Sequence, residues 1–246
     1  MEDFVQIFGL CGGWGSSIWY NEVMARKTKQ ENKGAGLSYK KNFRDYLDGE
    51  LKLKLYQKVG IILLIVVLAG FIGWVWEFVL VEVEGGFQHL YIKGGNLLPW
   101  MNIYAYGALL IIAVSFKLRK YPWAVFLVSG LACGLLEWFA GWIVYTVGNG
   151  TRYWDYARDM WGVGNIDGFV CPASATVFGL GALGLMYWLL PLVIYWSRKM
   201  TKRAFLTLAV SLFTVVMVDD ITNLTLKNLD LPTAQDFYKS LGWVYK

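Results

Sequence analysis

VGIILLIVVLAGFIGWVWEFVLV, residues Val59–Val81, runs for 23 positions with one charge, Glu77. A helix crosses the hydrocarbon core of a bilayer with roughly 20 apolar residues, so this stretch reads as a membrane span. Working outward, Gly94–Phe116 is charge-free, although Asn96, Pro99 and Asn102 make its first third irregular or re-entrant. Pro122–Val147 contains only Glu137, and Phe169–Trp196 has no charge. Ala204–Val218 is apolar for 15 residues, about 22 Å of helix. It crosses only if Asp219 and Asp220 reach the outer headgroup region. The expected fold is an all-α, polytopic transmembrane helical bundle of five spans. Phe4–Met24 is a candidate sixth, which Arg26, Lys27 and Lys29 would stop, but Gln6, Asn21 and interrupting glycines weigh against it.

Composition agrees. The chain of 246 residues is 57% hydrophobic and 17% charged, against about 45–50% and 25% for soluble domains. Residues 1–58 hold 17 of the 41 charges. A water-soluble enzyme is excluded for most of the chain. The net charge of +5 does not point to nucleic acid, because the basic residues flank apolar stretches, as cytoplasmic membrane flanks do. Cys11, Cys133 and Cys171 lack metal-site or disulfide spacing. No metal site and no cofactor are expected, and the acidic N-terminus shows no signal peptide.

Loop charge sets the orientation, since Lys and Arg stay on the cytoplasmic side. Their counts are ten in 1–58, one in 82–93, three in 117–121, two in 148–168, four in 198–203 and three after 220. The alternation places 26–58 in the cytoplasm and the C-terminus outside. Three regions follow: a cytoplasmic 1–58, a membrane domain over 59–226 and an extracytoplasmic tail over 227–246. Within 37–58, Phe43, Leu47 and Leu51 recur at helical spacing among lysines, the pattern of an interfacial helix; a solvated linker is the alternative.

A carboxylate at the centre of a membrane helix costs on the order of 2.5–3.5 kcal/mol and needs a partner or a cavity. Glu137 lies near the middle of its span, Glu77 about 10 Å outward of the centre of the first, and Asp219 in the outer third of the last. All three spans run outward, so the carboxylates belong to the outer half of the bundle. The lone histidine, His89, follows Glu77 in the next outer loop. The other long outer loop carries Trp154-Asp155-Tyr156 and Asn165. Together these side chains define an outward-facing polar site for a cation or polar substrate, with His89 as a proton relay and Glu77, His89 and Glu137 as the acid–base candidates. Each has a plainer alternative: helix-locking glutamates, an exposed histidine, an interfacial aromatic belt, and Asp219 as a helix end.

Gly179–Gly184 fits GxGxxG but sits within a charge-free span, where small residues permit close helix packing, as do Gly130 and Gly134. No phosphate-loop motif is present. The first and third spans carry Gly73-Trp74-Val75-Trp76-Glu77 and Leu136-Glu137-Trp138, each followed by a polar loop and a span opening near a proline. That order fits a parallel tandem repeat of helix pairs with a site between the halves.

Gly73-x-x-Trp76-Glu77, Gly86-Phe87, Ile103-Tyr104-Ala105-Tyr106-Gly107, Ser129-Gly130, Leu136-Glu137-Trp138, Trp154-Asp155-Tyr156 and Asn165–Gly168 before Cys171, taken together, resemble the bacterial family called putative ABC-transporter type IV. The resemblance covers roughly residues 70–190. Where that family's tyrosine–glycine element begins with a proline pair, this chain has Asn102-Ile103. The resemblance implies a permease of the bacterial plasma membrane. The inner loops Lys117–Tyr121 and Arg198–Arg203 are too short to dock an ATPase, which leaves 26–58 as the segment for such a separate partner. Membrane lipid, other membrane proteins and a second copy of the chain are the remaining partners. The leading expectation is a multi-pass transport protein. The alternatives are an intramembrane enzyme using a Glu on a lipid-linked or apolar substrate, and a non-catalytic membrane subunit.

Overall fold

The computed structural model describes residues 38–84, 91–92, 96–152, 154–158 and 162–245. The candidate span over 4–24 and His89 lie outside them. The described chain is a helical bundle: α1 (Tyr39–Asp48), α2 (Leu55–Glu84), α3 (Asn102–Ser115), α4 (Pro122–Val147), α5 (Pro172–Gly184), α6 (Leu190–Lys199), α7 (Lys202–Asn228) and α8 (Ala234–Ser240). Four stretches are long and apolar enough to cross a membrane: Leu55–Leu80, Pro122–Val147, Pro172–Lys199 and Lys202–Asn228. α3 with its 3-10 extension, Asn102–Leu118, is shorter. Five full spans were expected, so the second of them falls short of a continuous helix. Its first third is indeed irregular, because Pro99 has no N–H to donate and biases Leu98 away from helical angles. The Trp100 indole (3% exposed) instead donates to the carbonyl of Val66 at 3.2 Å, wedging the segment against α2.

The first span is longer than its apolar run, since α2 begins four residues before Val59. The last span carries both aspartates, as a full crossing required. α7 does not end at Val218 but runs to Asn228, 27 residues in all, so Asp219 and Asp220 stand inside the helix. Pro191 interrupts the fourth span. Its missing N–H and its ring disturb the preceding turn, and the chain widens into a π-turn over Leu185–Leu189. α5, this turn and α6 together form the stretch Pro172–Lys199.

α2 is the hub, packed against α3, α6 and α7, while α4 packs against α3 and α5. Gly130 and Gly179 hold α4 close to α5: a Cβ on Gly130 would lie 2.8 Å from the Ala175 carbonyl, and one on Gly179 2.7 Å from the Phe126 ring. Gly181 and Gly184 face open space, so only the first glycine of that motif works as a contact. Leu127, Leu131 and Leu135, at four-residue spacing, point outward, as lipid-facing side chains do.

The two ends of the bundle differ. At one end α1 packs on α6, beside the turn at 119–120. At the other, α8 and a two-residue strand β2 (Val244–Tyr245) fold back. β2 pairs in parallel with β1 (Tyr91–Ile92), and the Trp243 ring packs on Phe78 and Tyr238. The C-terminal residues therefore lie at the same end as Tyr91–Ile92.

Candidate functional site

Glu137 is carried on α4 and is 8% exposed. Tyr156 donates its hydroxyl to Glu137 Oε1 at 2.8 Å, and Ser174 donates to Oε2 at 2.8 Å. Both donors are set by the local fold. Ser174 is the third residue of α5 and forms a capping box with Cys171: the Cys171 N–H donates to Ser174 Oγ at 3.2 Å, and the Ser174 N–H to Cys171 Sγ at 3.3 Å. Tyr156 is stitched down by its N–H donating to the Gly168 carbonyl at 2.9 Å. Two residues earlier the Trp154 indole donates to the Phe169 carbonyl at 2.8 Å. Burial pushes the Tyr156 hydroxyl well above its ordinary pKa, and the neighbouring Glu137 adds to the shift, so it remains a proton donor.

Glu77, on α2, accepts a short hydrogen bond from the Tyr104 hydroxyl. Tyr104 sits in the first turn of α3, against Gly73, where a Cβ would lie 2.0 Å from the Tyr104 ring. A side chain at position 73 would displace the ring that holds Glu77. Tyr104 lies within electrostatic reach of Tyr156 and Glu137, and Glu77 within reach of Glu137. The structure thus brings Glu77, Tyr104, Tyr156, Glu137 and Ser174 into one polar neighbourhood inside an apolar bundle.

The remaining candidates sit elsewhere. Asp155 is engaged by its own loop. It takes the guanidinium groups of Arg152 and Arg158, each at 3.4 Å, and the Ala157 N–H at 3.1 Å. Asn165 builds a turn, donating to the Gly162 carbonyl at 2.8 Å and accepting from the Gly168 N–H at 3.0 Å. Asp219 holds the irregular segment before α3, accepting the Leu97 and Leu98 N–H groups at 3.2 and 2.9 Å and Asn223 Nδ2 at 2.8 Å. Nearby, the Tyr238 hydroxyl donates to the Leu97 carbonyl. Asp219 is a clamp for the backbone that leads to Tyr104, separate from the glutamate cluster. Tyr104 and Ser174 are the side chains that reading the sequence did not single out. The signal for Ser174 was its place two residues after a helix-opening proline; Tyr104 stood in the tyrosine–glycine element without an assigned partner.

Among the described residues no three His, Cys, Asp or Glu side chains converge to hold a metal. What the cluster offers is two carboxylates with fixed hydroxyl donors. Such a set can accept a cation or a protonated amine, or exchange protons.

These features define a helical membrane protein with acidic side chains held within its bundle. Residues 64–224 match the family described as "Putative ABC-transporter type IV", and the chain belongs to that family. Comparison with curated proteins and with solved structures finds no match.

Proposed function

We propose that the chain is a multi-pass transport protein of a bacterial plasma membrane, with an outward-facing site formed by Glu77 and Glu137 that takes a cation or the cationic group of a polar substrate. The observation that carries this reading is the shared neighbourhood of two carboxylates from different helices, each held by a hydroxyl from the segment that follows. A buried carboxylate without a task is a liability in a membrane helix, and family membership supports a role in transport. In this reading α2 with α3 and α4 with α5 are the two halves of a parallel repeat: Glu77–Tyr104 answers to Glu137–Ser174, and substrate binds between them. Residues 26–58 and the turns at 117–121 and 198–203 face the cytoplasm, and the tail after 227 faces outside. His89, in the outer loop after Glu77, relays protons to the site.

The test is flux in vesicles. Purified protein in liposomes with a trapped pH dye is challenged with a panel of inorganic cations and small amines. The reading predicts proton-coupled or cation flux in the wild type and its loss in Glu137→Gln while the protein still inserts. Equal flux in both would overturn it.

A further inference from the structure

In α1 both acids pair with bases from other elements, Asp45 with Arg198 at 3.8 Å and Asp48 with Lys120 at 3.7 Å. Asn42 and Tyr46, each 1% exposed, form the buried face. Asn42 Nδ2 donates to the Pro191 carbonyl at 3.4 Å, and Arg198 donates to Asn42 Oδ1 at 2.7 Å. Arg119 donates to the Tyr46 carbonyl at 2.6 Å. Lys40, Lys41 and Arg44 lie on the exposed side and make no ion pair among the described residues. The helix therefore presents three exposed cations that pair with no acid among the described residues, beside an Asp48 already engaged by Lys120.

Its depth identifies what that face meets. Pro191 lies eight residues before the end of α6 at Lys199, about 12 Å along the helix. The Tyr46 hydroxyl reaches further, to Met186 Sδ at 4.0 Å, and the Tyr39 ring meets Tyr195 edge-on at 5.6 Å. Gln57, at the start of α2, donates to the Ser197 carbonyl at 3.0 Å. α1 is thus set beside the last turns of a membrane-crossing stretch, at the level where another begins, and not beneath the bundle. At that depth a lateral face meets lipid headgroups.

We propose that Lys40, Lys41 and Arg44 form a binding surface for the phosphates of anionic phospholipids. Each Lys or Arg near a charged membrane surface strengthens binding about fivefold, and the attraction is screened by salt. Because Asn42 and Tyr46 on the same helix hold α6 and the turn at Arg119, lipid bound there steadies the end of the bundle opposite the glutamate cluster.

The test uses the full chain in phosphatidylcholine vesicles with and without phosphatidylglycerol. Amine labelling of Lys40 and Lys41, read by mass spectrometry, falls several-fold when phosphatidylglycerol is present and recovers at high salt. The wild type also gains thermal stability in the anionic vesicles. K40Q/K41Q/R44Q, which leaves the buried face intact, melts like the wild type in phosphatidylcholine and loses that gain. Labelling that is equal in both vesicles would overturn the proposal. So would protection that requires an added cytoplasmic protein, which would make the face a protein-docking surface.

Discussion

Glu77 and Glu137 are the same residue in similar places, yet their surroundings differ. Glu137 is buried and gripped on both oxygens, one by a tyrosine from a loop and one by the capping serine of the next helix. Glu77 is half-buried and held by a tyrosine whose ring rests on a glycine of the same helix as the glutamate. The comparison teaches how a membrane protein keeps two carboxylates close. One is held by a loop tyrosine and a capping serine, the other by a tyrosine whose ring is seated on a glycine, so different substitutions should disturb each.

The largest effect is expected at Glu137. Glu137→Ala leaves the Tyr156 hydroxyl without its acceptor, while Ser174 Oγ keeps the Cys171 carbonyl at 2.9 Å, and leaving a buried donor unsatisfied costs roughly 1–3 kcal/mol. Thermal unfolding in detergent should show a loss on the order of 2 kcal/mol. Next comes the steric contrast. Gly73→Ala drives a methyl group into the Tyr104 ring and should cost about 1–3 kcal/mol. At Gly134, three residues before Glu137, a Cβ would meet only ordinary contacts at 3.5 Å. Gly134→Ala should be neutral or stabilising by up to about 1 kcal/mol; equal losses at the two glycines would remove the distinction drawn here.

Tyr156 supplies a pH signature. Its folded pKa is raised, so its contribution is complete below the ordinary tyrosine value of about 10 and is lost as pH rises beyond it. The wild type should therefore lose more melting temperature on going alkaline than Tyr156→Phe, which should cost about 1–2 kcal/mol at neutral pH. The smallest effect belongs to Asp219→Asn, which replaces one acceptor oxygen facing the Leu97 and Leu98 amides with a donor. A loss of about 1 kcal/mol, with faster amide exchange over 96–100, would mark it as a backbone clamp.

Much of the helical layout was legible because charge-free runs of membrane length leave few readings, and Pro99 with its asparagines announced a broken segment. Glu137 stood out for the same reason: a carboxylate within an apolar run must have partners. Which partners it has was not legible. Ser174 is aimed by a capping box, and Tyr156 by loop bonds to Gly168 and Phe169, both products of three-dimensional closure. Asp219 was expected in the outer part of the last span, and α7 carries it there; its partners, the backbone amides of Leu97 and Leu98, were not legible. The docking of α1 through Asn42 and Tyr46 was equally hidden, since a polar residue on a basic helix reads as solvated until its partner carbonyl on Pro191 is known.

The central claim is that Glu77 and Glu137 face one shared pocket open to the exterior. It is tested most directly by cross-linking Glu77→Cys with Glu137→Cys, in a chain with its three native cysteines replaced, using a short membrane-impermeant bis-thiosulfonate, from which each cysteine displaces a sulfinate, added from outside. The account predicts efficient intramolecular bridging, visible as a single added linker mass. Two cysteines that each react singly and are never bridged would contradict it.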